Sequence, residues 1–187
     1  MEQRFQKGEY VVYSNAGVCH VEDIKRMKFS AQDEEQTYYI LQPIGNAAST
    51  LYIPLDNEKL NAKLRKVLTR DEIDHILAEI KEKELHWEED KKKRAEKFKE
   101  ILKEKEQKKM LLLVSCIYLK KQELLSCGKK LNFTDEGVLQ EAERYIDEEF
   151  AFSLDIPIGQ VGIYIQDKLG IDQEERKTNL TKKINMN

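Results

Sequence analysis

The stretch that decides the N-terminal fold is YVVYSNAGVCHVEDI, residues 10–24. Two runs rich in Val and Tyr flank Ser14–Gly17, where Asn and Gly tolerate the positive φ of a tight turn. Two further runs of this kind follow, QTYYILQPI and STLYIPL, and Pro54 closes the second. No helical pattern separates these runs, so the sequence predicts a small antiparallel barrel or curled sheet over residues 1–56.

The hydrophobic period changes after Pro54. Thr69–Glu72 matches a capping box. The apolar residues that follow recur at helical spacing, at Ile73, Ile76, Leu77 and Ile80. Further helices are predicted over residues 87–104 and 110–125, from Thr134 onward, and between Pro157 and Gly170.

These patterns predict an α+β protein in which a small antiparallel β-domain precedes a compact all-helical domain. The β-domain is predicted over residues 1–56 and the helical domain over residues 57–172. Residues 173–187 are predicted to form a polar, frayed tail.

The net charge of -3 hides a strong asymmetry along the chain. Residues 87–109 hold ten Lys or Arg and seven Asp or Glu, whereas residues 133–175 hold two basic and twelve acidic residues. The first segment is a candidate for contact with a polyanion, and the second would repel one.

The sequence offers no constellation that could carry catalysis. Its three histidines have no metal-ligand spacing with one another or with a cysteine, and no Gly-rich phosphate loop is present. Carboxylates are plentiful but alternate with lysines, as on solvated helix faces. We therefore expect a binding protein that is not an enzyme and that uses no metal or cofactor.

Composition also bears on the compartment. Three cysteines without framework spacing do not suggest disulfides. The N-terminal segment MEQRFQKGEY has no apolar signal region, and the longest apolar run, residues 110–119, is too short to span a bilayer. We expect a monomer in the cytoplasm without a membrane partner.

Trp87 is the only tryptophan, and it precedes the basic run Lys91–Arg94. On a helical wheel it lies about 20° from Phe98, so it could extend the apolar stripe into the core while the lysines stay solvated. Alternatively, a partly exposed ring could contact bases while Lys91–Arg94 and Lys97 contact phosphates. Composition alone leaves both interpretations open and favours the first.

The order of motifs resembles the CarD family of bacterial transcription regulators over residues 5–155. The matching features are FQKGEYVVYSNAGVCHVEDI, then YYIL, then LYIPLDNEKLNAKLRKVLTRDEI, then a Trp followed by KKKR and KFKEIL. The first part also resembles the RNA-polymerase-interacting domain of the transcription-repair coupling factor.

The resemblance implies a Tudor-like β-barrel that docks on the RNA polymerase β subunit and a helical bundle that contacts promoter DNA at the upstream edge of the bubble. In the family, a tryptophan sits in the minor groove there and slows bubble collapse. Trp87 matches that tryptophan, and Lys92 matches a family basic residue. The resemblance favours a Trp87 that faces DNA, with Lys91, Lys92, Lys93, Arg94 and Lys97 as its basic neighbours.

The chain departs from the family pattern at two polymerase-facing strand positions, at Lys63, where relatives often have glycine, and in the acidic residues right after Trp87. Met27 and Tyr52 stand where relatives often carry arginines that face the polymerase. Either Lys25 and Arg26 supply the charge instead, or the contact is more apolar in this chain. The rival hypothesis is a protein-interaction adaptor that does not contact DNA.

Overall fold

A computed structural model describes residues 3–14, 16–30, 34–83 and 85–171. The chain divides into two compact units. The first runs up to Thr69 and also includes Glu148–Asp155, and the second comprises Arg70–Asp147 and the residues from Ile156 onward. The boundary predicted at residue 56 therefore moves to residue 69. The predicted tail, residues 173–187, lies outside the described residues.

The first unit is built on a five-stranded antiparallel sheet with the strand order β4-β3-β2-β1-β5. The strands are β1 (Tyr10–Tyr13), β2 (Gly17–Met27), β3 (Gln36–Pro43), β4 (Leu51–Pro54) and β5 (Leu64–Lys66), and the short helix α1 (Glu58–Asn61) precedes β5. Among the described residues β4 and β5 are the sheet edges. The mixed α+β class is confirmed, but the predicted barrel is corrected to an open sheet.

The β1–β2 hairpin follows the sequence signal. Gly17 has a φ of 70°, a conformation that glycine adopts without steric cost, and β1 pairs with β2 from Tyr13↔Gly17 to Tyr10↔His20. A register shift between Val21 and Asp23 interrupts the pairing of β2 with β3. The hairpin therefore forms where the Asn and Gly residues predicted a turn.

One face of the sheet carries the core of the first unit. Its buried residues are Phe5, Val11, Cys19, Val21, Tyr39, Leu41, Ile53 and Leu64. The Tyr39 hydroxyl accepts the backbone N–H of Arg4 at 2.9 Å, which fastens the N-terminal segment to this core. The strand sequence predicts Tyr10, Val12, Tyr39 and Ile40 in the core; Val12 and Tyr39 are buried and Ile40 is half-buried, but the prediction for Tyr10 is wrong, because Tyr10 is 42% exposed.

The described part of the second unit contains five helices. They are α2 (Arg70–Lys81), α3 (Lys91–Glu104), α4 (Gln107–Ser126), α5 (Phe133–Leu154), whose last residues belong to the first unit, and α6 (Ile158–Leu169). Helix α3 begins four residues later than predicted because Asp90 is its N-cap: the Asp90 carboxylate accepts the N–H groups of Lys92 and Lys93 at 2.9 Å each.

Helix α4 lies at the centre of the second unit, in contact with α2, α3 and α6. It is buried nearly all round at its start, as its apolar sequence predicts, through Met110, Leu111, Leu113, Val114, Cys116, Ile117 and Tyr118. Helix α2 buries the four residues that its spacing predicted, Ile73, Ile76, Leu77 and Ile80. Gly170, with a φ of 72°, ends α6 where a glycine stop was predicted.

The described residues hold no group of three His, Cys, Asp or Glu side chains that could bind a metal ion. Cys19 and Cys116 are buried free thiols, and burial raises the pKa of each to about 11, so neither is a thiolate at neutral pH. No described helix is both long enough and apolar enough to cross a membrane.

Candidate functional site

Trp87 lies in the segment between α2 and α3 and is half-buried. The edge of its ring meets Phe98, with ring centroids 5.9 Å apart and an interplanar angle of 67°. The Arg94 guanidinium lies 4.4 Å from the Trp87 ring centroid, and Lys120 Nζ lies 5.7 Å from it. The ring is thus anchored on the helical core by an aromatic and two cationic contacts and keeps part of its surface accessible.

Arg94 is buried and its donors are used inside the protein. Nε and Nη2 donate to the Asp135 carboxylate at 3.2 Å and 2.9 Å, and Nη1 donates to the carbonyl groups of Glu88 and Glu89 at 2.6 Å and 3.2 Å. The sequence placed Arg94 among the phosphate contacts. In the structure it instead fixes the segment that carries Trp87, since one side chain holds both the ring and the backbone beside it.

The other predicted phosphate contacts occupy two environments. Lys91, Lys92 and Lys93 are exposed in the first turn of α3 and form no ion pair with any described residue. Lys97 is half-buried, and its Nζ donates to the His86 carbonyl at 3.4 Å. The freely available positive charge near Trp87 is therefore that of Lys91–Lys93.

A cluster of exposed aromatic rings lies on the sheet of the first unit. Phe29 is 58% exposed and meets the rings of Tyr38 and Tyr52 edge-on, with centroids 5.3 Å and 5.1 Å away. We call Phe29, Tyr38 and Tyr52 the outer aromatic face. Tyr38 alternates with the buried Tyr39 along β3, so this face is opposite to the core.

The predicted polymerase-facing residues divide between the two sides of the sheet. Lys25 pairs with Tyr38, and Tyr52 pairs with Ile40, and directly opposed residues point to the same side. Lys25, Met27 and Tyr52 therefore share the side of the outer aromatic face. Arg26 alternates to the other side, where its Nε forms a surface ion pair with Glu35 at 3.0 Å.

Sequence reasoning missed Phe29 and Tyr38 as members of this surface. Tyr38 belongs to an ordinary strand pattern, in which a core position and a surface position look alike. Phe29 carried a usable signal, because it lies just beyond the end of β2 and directly after a segment, residues 25–28, in which three of four residues are basic. An aromatic residue outside a strand and among charges has no core position to occupy.

A family model described as the CarD-like/TRCF RID domain matches residues 5–68. Those residues include all five strands and the whole outer aromatic face. The N-terminal domain is a CarD-like/TRCF RID domain. RID domains are RNA-polymerase-interacting domains, which indicates a role in transcription. The helical unit lies outside the match, and no curated protein matches the chain.

The RID domain is completed by two carboxylates that lie far beyond the matched residues. Glu148 Oε1 accepts the N–H of Val18 at 2.7 Å. A Cβ placed on Gly17 would stand only 2.2 Å from that oxygen, so the absence of a side chain at Gly17 admits the carboxylate. A Cβ placed on Gly45 would stand 3.0 Å from the other carboxylate oxygen, so the β3–β4 loop also lies close to Glu148.

Glu149 makes a second attachment to the same domain. It is buried, and its two carboxylate oxygens accept from Arg65 Nη1 and Nη2 at 2.5 Å and 2.6 Å. One of those oxygens also accepts the N–H of Leu68 at 3.0 Å. Phe152 adds an aromatic contact with Tyr10, with centroids 4.6 Å apart. The end of α5 is therefore an integral part of the RID domain.

Proposed function

We propose that this chain is a non-enzymatic transcription regulator that docks on the RNA polymerase β subunit and stabilises the promoter open complex. The docking surface is the outer aromatic face with Lys25 and Met27. The DNA contact, at the upstream edge of the bubble, is made by Trp87 and Lys91–Lys93. The observation that carries the proposal is the RID match, because it covers the outer aromatic face completely.

The outer aromatic face has the composition of a protein-binding surface. Aromatic residues are enriched at interface hot spots, because rigid rings bury a large area at a small entropic cost. Phe29 contacts both Tyr38 and Tyr52, so the cluster is also preorganised. Met27 and Tyr52 stand where relatives often carry arginines, so we propose that docking is more apolar in this chain.

The Trp87 surface has the composition of a DNA contact. A ring held by Arg94 and Phe98 presents a fixed edge, and Lys91–Lys93, which form no ion pair with a described residue, begin α3 four residues further along the chain. Phosphate contacts position a protein on the duplex, and an aromatic wedge acts at an unstacked step. A contact that exists only when the bubble is open shifts the equilibrium toward the open complex.

Docking is tested by capture of the isolated β lobe with the full-length chain. We expect Phe29→Ala and Tyr52→Ala each to weaken capture about tenfold or more, since a hot-spot residue contributes about 2 kcal/mol. Tyr10→Ala is the matched control, because Tyr10 is 42% exposed in the same domain and Tyr52 is 40% exposed. Equal capture by all variants would refute docking through this face.

The DNA contact is tested by the lifetime of open complexes formed with whole RNA polymerase. Lys91→Ala and Lys92→Ala are expected to shorten the lifetime and to reduce its salt dependence by about one charge each. Lys103→Ala is the control, since Lys103 is exposed in the last turn of the same helix. Intact β-lobe capture with no effect of either substitution, or of Trp87→Ala, on the lifetime would favour the adaptor hypothesis.

A further inference from the structure

The most exposed large apolar side chain in the described part of the chain is Phe133, which is 94% exposed. It is the first residue of α5, and the buried stripe of that helix lies roughly 120–140° around the axis from it. Asn132 fixes the position by accepting the Asp135 N–H at 3.0 Å. The ring is therefore held in solvent by a capped helix start.

Phe133 lies at the same end of the helical unit as Trp87. Asp135, two residues after Phe133, receives the two hydrogen bonds from Arg94, whose guanidinium covers the Trp87 ring. Lys120, in the second half of α4, pairs with Glu89 at 3.3 Å and also lies over Trp87. The start of α3, the end of α4 and the start of α5 are thus joined through these contacts.

The charge left unpaired at this end is positive. Five exposed lysines there form no ion pair with the described residues: Lys91, Lys92, Lys93, Lys129 and Lys130. Four carboxylates at the same end pair with basic side chains: Glu89 and Glu123 with Lys120, Asp135 with Arg94 and Glu136 with Lys121. Glu88 and Asp90 accept hydrogen bonds from backbone N–H groups and keep their charge, so the five lysines outnumber them and the net unpaired charge is positive. Two helix N-termini at this end, those of α3 and α5, add positive potential, and the C-terminus of α4 offsets part of it.

We propose that Phe133, flanked by Lys129 and Lys130, is a second nucleic-acid contact that stacks on an unpaired base while the lysines bind the adjoining phosphates. The chemistry favours an exposed base, because an aromatic face and basic side chains together form the usual platform for single-stranded DNA. A continuous duplex offers no base face to the ring. The inference rests on the proposed function and adds the unpaired strand of the promoter bubble as a ligand.

The test is anisotropy titration of the full-length chain at low salt with two DNA probes. One is a fork, a duplex with a single-stranded extension, and the other is a blunt duplex of the same sequence. We expect Phe133→Ala to weaken fork binding about tenfold and to leave duplex binding unchanged. Phe133→Tyr keeps a ring and is expected to bind the fork as the wild type does.

Two controls separate stacking from other effects. Ile158→Ala removes an apolar side chain that is 58% exposed at the start of α6, and it is expected to leave fork binding unchanged. Lys129→Ala is expected to weaken binding to both probes and to reduce the salt dependence of each. Because Phe133 is almost fully solvated, its substitution is expected to leave the unfolding curve of the chain unchanged.

Three results would overturn the inference. If Phe133→Ala binds the fork with wild-type affinity, the stacking contact is refuted. If Lys92→Ala still weakens fork binding in that case, the proposed function stands without the Phe133 contact. Absence of wild-type binding to the fork would refute both contacts with DNA. Loss of β-lobe capture by Phe133→Ala would assign the ring to a protein partner instead.

Discussion

Arg65 and Glu149 are 84 positions apart in the sequence and form a two-pronged ion pair, with N–O distances of 2.5 Å and 2.6 Å. Arg65 belongs to β5 and is partly exposed, whereas Glu149 is buried and lies near the end of α5. The planar guanidinium matches the carboxylate in geometry, which makes this type of pair stronger than a single contact. The pair joins the last strand of the RID domain to a segment that the domain match does not include.

Removal of one member of this pair is expected to destabilise the first unit. Arg65→Ala removes both guanidinium hydrogen bonds from the buried Glu149 carboxylate, so we expect a loss of about 2 kcal/mol in the free energy of unfolding. Urea denaturation measures it. Arg26→Ala, which breaks the exposed pair with Glu35, is the control and is expected to cost less than about 1 kcal/mol. Equal losses would mean that burial adds nothing to the Arg65–Glu149 pair.

Gly17 and Gly8 form a matched test of the Glu148 contact. Both have positive φ, 70° and 89°, so alanine at either position incurs a backbone cost of about 1 kcal/mol. Only at Gly17 would the added Cβ strike the Glu148 carboxylate, since no atom lies within 4 Å of a Cβ at Gly8. Gly17→Ala should therefore lower Tm more than Gly8→Ala. The reverse order would contradict the placement of Glu148.

Asp147 is expected to make stability depend on pH. Burial, reinforced by the charge of Glu143, raises the pKa of the Asp147 carboxyl to about 7. The folded state therefore keeps a proton that the unfolded chain has already lost, and stability falls as the pH rises from about 4 to about 7. Asp147→Asn abolishes this loss, so its Tm should exceed that of the wild type by more at about pH 8 than at about pH 5.

The control for this experiment is Asp167→Asn, because Asp167 is exposed on α6. Asp167→Asn removes a surface carboxylate and keeps Asp147, so this variant should retain the pH dependence of the wild type. Equal behaviour of the two variants would rule out Asp147 as the source of the pH dependence.

Substitutions of Trp87 separate anchoring from function. Trp87→Ala removes the contacts with Phe98 and Arg94, and because the ring is half-buried we expect a cost of about 2 kcal/mol, below that of a full core site. Trp87→Phe keeps a ring and should cost less than about 1.5 kcal/mol. Chemical denaturation gives both values.

The same variants address the promoter. Trp87→Ala is expected to leave β-lobe capture intact and to shorten the open-complex lifetime. Trp87 is the only tryptophan, so its fluorescence in the wild type reports this one site, and it should change when fork DNA binds. Unchanged fluorescence together with an unchanged lifetime in Trp87→Ala would restrict Trp87 to an anchoring role.

Local sequence patterns predicted the helices and strands, but they did not predict the contacts between residues that are far apart in the sequence. The spacing of Ile73, Ile76, Leu77 and Ile80 was sufficient to place α2, because one amphipathic stripe fixes one buried face. The spacing along α5 gave a single continuous stripe and did not show that the helix end joins the sheet. Glu148 and Glu149 look like surface charges in the sequence, because their partners are far away along the chain.

For the candidate site too, the sequence predicted the residues that form a local pattern but not those whose environment depends on a distant partner. Trp87 and the exposed Lys91–Lys93 follow from an aromatic residue beside a basic run. Arg94 belongs to the same run yet is buried, and only its partner Asp135, 41 positions away, explains the difference. Tyr10 was predicted as core together with Val12, which lies on the same side of β1; Val12 is buried, but Tyr10, at the start of the strand, is 42% exposed.

The attachment of Glu148–Asp155 to the first unit has a consequence for biosynthesis. The five strands leave the ribosome long before these residues are translated. Until then Arg65, Leu68 and Val18 cannot form their hydrogen bonds with the carboxylates of Glu148 and Glu149. N-terminal domains ordinarily complete their folding first during synthesis. In this chain the N-terminal domain is synthesised first but can complete its folding only after Glu148–Asp155 have been translated. A nascent chain arrested before residue 148 would carry an RID domain that lacks this segment.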